Sequence, residues 1–300
     1  ILQAGKLYKF LIDKGSENST AFSNYGLILI NSGKKEEAEI LIRKAIELNP
    51  NDSIAYSNLG GILNDLGKKE EAEILIRKAI ELNPKDSIAY SNLGGILQDL
   101  GKLQEAEILI RKAIELNPNF AEALSNLGGI LNDLEKLEEA EILIRKAIEL
   151  NPKFASAYSN LGSIARKLDK LKEAEIFTRQ AIELNPNFAE AHTNLGGILR
   201  ELGKLKEAEI FTRQAIKLNP NLANAYSNLG IILYELGKLK ESKIFNRKAI
   251  ELNPNFAKAY YSLSKIEPLT NEKNWEEYLF TADILKNQKD IDKIDIYFAR

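Results

Sequence analysis

Apolar residues recur along this chain with the period of an α-helix, in short stretches that come in pairs. One face of a first predicted helix carries Tyr56, Leu59, Gly60 and Leu63. The apolar stripe of the helix that follows consists of Ala72, Leu75, Ile76, Ala79 and Ile80. Gly67 lies between the two stretches, where it is placed to end the first helix in a left-handed conformation. The pattern therefore predicts a helix, a turn and a second helix.

This helix pair repeats at an interval of 34 residues, and proline marks the interval. Each marking proline follows an asparagine and ends a second helix. Proline has no N–H to continue the hydrogen-bond ladder, and it disfavours the helical conformation at the residue before it. The prolines that keep the spacing are Pro50, Pro84, Pro118, Pro152, Pro186, Pro220 and Pro254.

The interval defines seven complete units, at 19–52, 53–86, 87–120, 121–154, 155–188, 189–222 and 223–256. Residues 1–18 fit the second helix of a truncated unit. Residues 257–300 begin another first helix and then lose the register, which predicts a degenerate repeat followed by the start of a further helical pair. The chain also opens on Ile1 rather than on methionine, so we expect both ends to be cut through a continuing array.

Composition narrows the chemistry that this chain can perform. It has no cysteine and one histidine, His192, which excludes thiolate chemistry and any site that needs two imidazoles. The 41 basic and 43 acidic side chains nearly cancel, whereas broad nucleic-acid binding requires a basic surface. No apolar run approaches the roughly 18 residues of a membrane span. We therefore expect a cytoplasmic, non-enzymatic protein with no metal or small-molecule cofactor, no nucleic-acid partner and no membrane insertion.

The repeated motif AYSNLG, followed by a turn glycine, two alanines and Asn-Pro, resembles the tetratricopeptide repeat. The resemblance covers all seven units. It implies an all-α fold, a right-handed α–α superhelical solenoid of 34-residue helix–turn–helix repeats whose first helices line a concave groove. Since no unit can bury its apolar stripe alone, each unit is expected to stack on its nearest neighbours.

Departures from this repeat include the following three positions. Glu135 and Asp169 replace the turn glycine, at a cost on the order of 1 kcal/mol each if the left-handed conformation persists there. His192 occupies the position that Tyr56 holds in its own unit, and we interpret it as a packing substitute for tyrosine.

One polar residue is the same in every complete unit, on the face of the first helix that the apolar stripe leaves free. The predicted peptide-binding residues are Asn24, Asn58, Asn92, Asn126, Asn160, Asn194 and Asn228. A carboxamide carries both a donor and an acceptor, so it can pair with both polar groups of a peptide bond. Such a row of asparagines, an asparagine ladder, resembles that of the repeat superhelix of O-linked N-acetylglucosamine transferases. Recent duplication of near-identical units offers a second explanation, in which asparagine is copied without a function.

Charged residues are expected to have simpler roles. Six of the second helices carry a glutamate four residues before an arginine, a spacing that stabilises an exposed helix, and we interpret these pairs as a solvated outer face. In the groove, Asp65, Asp99 and Asp133 predict a mildly acidic surface in the earlier units, and Arg166 and Lys167 reverse its sign in the fifth.

The sequence favours a non-catalytic scaffold that binds extended protein or peptide segments in the groove through the asparagines. The alternative is a substrate-targeting arm of a larger transferase, a glycosyltransferase or sulfotransferase, whose catalytic domain lies outside this chain. Chaperone-binding relatives place basic residues beside the asparagine to hold a terminal carboxylate. Serine or threonine takes that place here, so the resemblance does not imply such a clamp.

Overall fold

The predicted pairs of helices are present throughout the part of the chain that the computed structural model describes, residues 2–266. Within these residues the secondary structure is helical, with no strand. The first helix predicted after residue 256 forms, whereas the remainder of the predicted degenerate segment, 267–300, lies outside the described residues.

Contacts between residues divide the chain into two larger compact units, Ile1–Asn151 and Pro152–Arg300, which are called the first and the second unit below. The 34-residue units of the sequence pattern are called repeats. The helices of the first unit are α1 (Leu2–Asp13), α2 (Ser19–Asn31), α3 (Lys35–Leu48), α4 (Ser53–Asp65), α5 (Lys69–Leu82), α6 (Ser87–Asp99), α7 (Leu103–Leu116), α8 (Ala121–Asp133) and α9 (Leu137–Leu150). The described helices of the second unit are α10 (Ala155–Lys167), α11 (Leu171–Leu184), α12 (Ala189–Glu201), α13 (Leu205–Leu218), α14 (Ala223–Glu235), α15 (Leu239–Leu252) and α16 (Ala257–Ile266).

The two helices of a pair approach closely at one glycine of the first helix. A Cβ atom placed on Gly60 would lie 2.5 Å from Cδ1 of Ile76, so no larger residue fits without a shift of Ile76. Ile76 is fully buried, and Ala72 of the same second helix lies beside it. In the second unit the place of isoleucine is taken by the buried side chains of Thr178, Thr212 and Asn246.

Pairs stack in chain order within each unit. In the first unit α5 packs on α6 and α7 on α8, and the first helices α4, α6 and α8 also contact one another in sequence. The second unit repeats the arrangement, with α11 on α12, α13 on α14, and contacts along α10, α12, α14 and α16. The fold class is therefore the predicted all-α array of stacked helix pairs, in which each pair buries its stripe against its neighbours.

The turn between the helices of a pair keeps a left-handed residue even where glycine is absent. Gly101 has a φ of 75°, and Glu135 and Asp169 adopt φ values of 60° and 59° at the same place in their repeats. The strain expected from the sequence is therefore present at both non-glycine residues.

His192 packs as a tyrosine substitute. Its Nε2 lies 2.9 Å from the carbonyl oxygen of Pro186, and the hydroxyl of Tyr260 donates to the carbonyl of Pro254 at 3.0 Å in the same relation. The imidazole is buried and stacks on Phe211, with the ring centroids 5.8 Å apart.

The glutamates of the second helices join consecutive pairs, which the sequence did not predict. Glu107 accepts hydrogen bonds from Arg111 in its own helix and from Lys136 before the next second helix, each at 2.8 Å. Arg111 also donates to Glu139 of that next helix at 2.7 Å. Only 14% of the Glu107 side chain is exposed. The expectation of a purely solvated outer face is therefore wrong for these carboxylates.

The same chain of ion pairs recurs within each unit. In the first unit it involves Glu39, Arg43, Lys68 and Glu71, and then Glu73, Arg77, Lys102 and Glu105. In the second unit it involves Glu175, Arg179, Lys204 and Glu207, and then Glu209, Arg213, Lys238 and Glu241. These contacts fix how one second helix lies against the next.

Replacing Glu135 by glycine should stabilise the protein, because glycine adopts a positive φ without a clash. We expect a gain of about 0.5–1 kcal/mol in the free energy of unfolding, after the larger entropy of glycine in the unfolded chain is subtracted. The reverse change Gly101→Glu is the matched control, since nothing lies within 4 Å of a Cβ there and only the backbone conformation is tested. Urea unfolding midpoints should move up for the first variant and down for the second, and midpoints that do not move would exclude strain.

The glutamate chain should make stability depend on pH in the acidic range. Hydrogen bonds from Lys102 and Lys136 hold the pKa of the Glu73 and Glu107 carboxyls below the usual value. A lowered folded-state pKa contributes stability above the unfolded-state pKa of about 4.3, and this contribution is lost as the pH falls through the folded-state value.

The double variant Glu73→Gln/Glu107→Gln should therefore lose stability at neutral pH, by about 1 kcal/mol per site, and should show a flatter decline below pH of about 4. The control is Glu81→Gln/Glu115→Gln, whose exposed carboxylates pair only with a lysine of their own helix. Urea unfolding across the acidic range measures both. If the free energy of unfolding falls equally steeply with pH in the two variants, the ion pairs between consecutive helix pairs are not the source of the pH dependence.

Candidate functional site

All seven predicted asparagines lie on the first helices, α2, α4, α6, α8, α10, α12 and α14. Six of them are half-buried, and Asn92 is exposed. They stand beside the buried stripe rather than in it, as the sequence predicts. The partial burial was not foreseen, and for Asn126 and Asn194 it accompanies a contact with the preceding first helix.

The amide nitrogens of several asparagines point toward the preceding first helix. Nδ2 of Asn126 lies 3.4 Å from Oγ of Ser91, and Nδ2 of Asn194 lies 3.3 Å from Oγ of Ser159. These distances are at the long end for hydrogen bonds, so each contributes orientation more than stability. Two further asparagines reach back to other groups: Asn24 to the hydroxyl of Tyr8 at 3.1 Å, and Asn228 to the carbonyl of Thr193 at 3.5 Å.

Two of the serines beside the asparagines, Ser91 and Ser159, accept these contacts, a role that the sequence pattern did not predict. Ser91 and Ser159 are 3% and 2% exposed, so they face the contact between helices. The signal is present in the sequence, because a Ser-Asn dipeptide repeated every 34 residues places a serine 35 residues before the next asparagine. Recognising it requires knowing that consecutive first helices touch.

Ser227 has no asparagine 35 residues after it. The residue 35 positions later is Ser262, which donates to the carbonyl of Lys258 in its own helix. Ser227 Oγ is buried and has no hydrogen-bond partner. Among the other asparagines, Nδ2 of Asn58 is buried without a partner.

The carboxamides keep capacity to bind a ligand. An asparagine amide offers two N–H donors and one acceptor oxygen, and the contact with serine uses only one donor. In the first unit the space one helical turn beyond the asparagine is open, since nothing lies within 4 Å of a Cβ placed on Gly61 or Gly95. In the second unit the corresponding space at Gly197 is filled, because the Arg166 guanidinium lies over that glycine.

The predicted acidic surface of the first unit is largely neutralised. Asp65 pairs with Lys35 at 2.8 Å, and Asp99 pairs with Lys69 at 3.0 Å. Asp133 accepts a hydrogen bond from the Gln98 amide at 3.0 Å. Charge therefore does little to select a ligand along the first helices of this unit, and the amides are its main polar feature.

Among residues 2–266, no helix has both the length and the apolarity needed to cross a membrane. The described His, Asp and Glu side chains also form no group of three that would hold a metal ion.

Giving Ser227 a partner should stabilise the last described first helix. Ser262→Asn restores the residue that contacts serine elsewhere, and we expect a gain of about 0.5–1 kcal/mol in the free energy of unfolding. The gain should disappear in a Ser227→Ala background, because the acceptor is then gone. A double-mutant cycle measured by urea unfolding gives the coupling directly, and an equal gain in both backgrounds would rule out the serine–asparagine contact.

Solved structures with a similar fold come from several sources. The Cut9–Hcn1 hetero-tetramer structure of APC/C contains a chain with a TM-score of 0.74 and 17% identity over 87% of this chain and 52% of that one. This chain thus spans about half the length of that relative. A tetratricopeptide repeat protein from Parabacteroides merdae has a TM-score of 0.66 and 20% identity, covering 84% of this chain and 99% of that one. Pseudomonas aeruginosa pilF has a TM-score of 0.57 and 20% identity, covering 72% and 100%. At these identities the likeness shows the fold alone.

No curated protein matches the chain by sequence. Models of known protein families do match it, and they are more specific than the likeness to solved structures. One tetratricopeptide repeat model matches residues 87–120, 155–188 and 223–256, and another matches 41–74, 109–142 and 177–210. Further models of the same repeat match 19–52 and 196–237, so that most of the chain is covered. Tetratricopeptide folds are typically non-catalytic scaffolds for protein–protein interaction. With the helix pairs, the turn residues and the Asn-Pro ends all in place, this chain belongs to the tetratricopeptide repeat family.

Proposed function

We propose that this chain is a non-catalytic interaction scaffold that holds extended peptide segments against the first helices of each unit. The seven predicted repeats, from 19–52 to 223–256, are its binding modules, and each contributes one carboxamide. The residues that carry the proposal are Asn24, Asn58, Asn92, Asn126, Asn160, Asn194 and Asn228.

The observation that supports it best is the way in which Asn126 and Asn194 are held. Each amide nitrogen faces a buried serine of the preceding first helix, at 3.4 Å and 3.3 Å. This contact limits the rotation of the amide before a ligand arrives, so less side-chain entropy is lost on binding. The acceptor oxygen and the second N–H then match the N–H and C=O of a peptide bond.

The spacing of the modules fits an extended chain. Packed helices lie about 8–10 Å apart, and an extended peptide advances about 3.3 Å per residue. One asparagine would therefore meet roughly every third residue. Each hydrogen bond contributes only about 0.5–1.5 kcal/mol, so binding needs several amides at once. Because the contacts are to backbone, a ligand's sequence has little effect on them.

Duplication alone predicts the same asparagines without binding, and an experiment separates the two explanations. The alternative of a targeting arm for a larger transferase stays a prediction, since it concerns residues outside this chain.

Replacing Asn92 and Asn126 by alanine should weaken the capture of a neutral, extended peptide. A fluorescein-labelled peptide of about twelve residues, rich in threonine to favour an extended backbone, would span about 40 Å. Loss of two amides should raise the Kd measured by fluorescence anisotropy by about tenfold.

The matched control is Asn51→Ala/Asn119→Ala, which removes two exposed asparagines from the loops that precede first helices. Its Kd should stay within about twofold of the wild type. Circular dichroism and urea unfolding check that both variants remain folded. An unchanged Kd for the Asn92/Asn126 variant, with the wild type binding the peptide, would show that the asparagines are inherited rather than used.

A further inference from the structure

The repeat pattern breaks at one place on the first helices of the second unit. Three residues before the turn residue, the first unit carries Ile30 and then the amides Asn64, Gln98 and Asn132, but the second unit carries Arg166 and Arg200. The next repeat has Tyr234 there. Because the 34-residue repeats are otherwise near-identical, duplication of a repeat does not account for these changes.

The following first helix, α16, departs from the pattern on the same surface. It has Ser262 where every complete repeat has asparagine, and Lys265 one helical turn later, where earlier repeats have glycine, serine, leucine or isoleucine. Lys258 stands one turn before Ser262. The changes in α16 therefore add two cations on the side of the helix that lies along α14.

These residues surround a cavity of about 380 Å³ within the second unit. Its lining includes Arg200, Tyr234, Glu235, Lys258, Tyr261 and Lys265. The volume is within the range of pockets that hold a small group or a few side chains. Two tyrosines and several cations thus line one open concavity.

The positive charge of this cavity is not cancelled by its own carboxylates. Arg166 also borders it but is paired with Glu201, through Nε at 2.9 Å and through a second nitrogen. Arg200 lies 3.6 Å from Glu201 and 3.9 Å from Glu235, which is longer than a hydrogen bond. Within residues 2–266, no carboxylate lies within ion-pair distance of Lys258 or Lys265.

The charges of Arg166 and Glu201 cancel in their ion pair, which leaves three cations and one carboxylate in the lining of the cavity. Arg200, Lys258 and Lys265 outnumber Glu235 by two charges. Arg200 has 23% of its side chain exposed, so its charge is screened less than that of a free surface arginine. A ligand that brings two negative charges would complete the balance.

The Arg166–Glu201 pair fixes one wall of the cavity. The Arg166 guanidinium lies over buried Gly197, where a Cβ atom would come within 2.8 Å of Nη1. The glycine therefore provides the space for the guanidinium. Hydrogen bonds to Glu201 then hold it there, and Glu201 is positioned beside Arg200.

We propose that this cavity binds an acidic stretch of the bound peptide, with two side-chain carboxylates meeting Arg200, Lys258 and Lys265. Tyr234 and Tyr261 pack against the aliphatic parts of these side chains. Separate carboxylates suit the site better than one phosphate, because Glu201 and Glu235 lie 3.6 Å and 3.9 Å from Arg200 and repel a concentrated double charge there. The proposal rests on the proposed function only in that the ligand is an extended peptide.

The test uses the full chain and two labelled peptides of about twelve residues, one with two glutamates near its centre and one with glutamines in their place. The wild type should bind the glutamate peptide about tenfold more tightly than the glutamine peptide, and the difference should shrink as salt is raised. Lys258→Gln/Lys265→Gln should remove the preference and leave the affinity for the glutamine peptide within about twofold.

The matched control is Lys206→Gln/Lys240→Gln, which removes the same charge from exposed positions on the second helices α13 and α15 of the same unit. It should keep the preference for glutamate. An equal loss in both double variants would overturn the proposal, since the effect would then be one of net charge. Tighter binding of a phosphoserine peptide than of the glutamate peptide would also overturn it, in favour of a phosphate site.

The outcomes distinguish this proposal from the asparagine ladder. If Asn92→Ala/Asn126→Ala leaves the Kd of the neutral peptide unchanged while the lysine variant loses the glutamate preference, the ladder fails and the acidic site stands. If the ladder variant weakens binding and the wild type shows no preference for glutamate, the acidic site fails alone.

Discussion

The close approach of the two helices in each pair is the constraint on which the rest of the structure depends. A glycine of the first helix leaves room for one side chain of the second, and a Cβ atom at Gly60 would lie 2.5 Å from Ile76. A single helix pair cannot bury all of its own apolar residues, which are covered only when another pair stacks on it. Stacking in turn brings consecutive first helices into contact, as α4, α6 and α8 show. Asn126 and Asn194 are oriented by that contact.

Polar interactions on both kinds of helix then fix how one pair lies on the next. On the second helices, half-buried carboxylates such as Glu107 connect an arginine of their own helix to a lysine of the next repeat. On the first helices, Ser91 receives the amide of Asn126 from the following repeat. The first set is structural, and the second involves the amides that we propose bind a ligand. The second unit has charge where the first unit has amides, and the proposed site for an acidic peptide lies there.

The sequence predicted most of the fold and only part of the candidate site. A fixed interval of 34 residues, helical periodicity and Asn-Pro ends are local signals, so the helices, the turns and even the strained Glu135 follow from them. The serine–asparagine contacts and the glutamate links join residues about one repeat apart, and their geometry depends on how pairs stack. The cavity near Lys258 needs four successive first helices to be placed together, although the arginines and lysines that break the pattern were visible. Charge signs alone did not show that Asp65 and Asp99 would be paired.

Side-chain amide resonances give the most direct test of the central claim, that amides held between first helices bind peptide backbone. With the chain labelled with ¹⁵N at asparagine, addition of the neutral extended peptide should shift the Nδ2 signals of Asn92 and Asn126 and leave those of Asn51 and Asn119 in place. Saturable shifts confined to the first-helix asparagines are the predicted result. Peptide binding that moves only loop or second-helix signals would contradict the account.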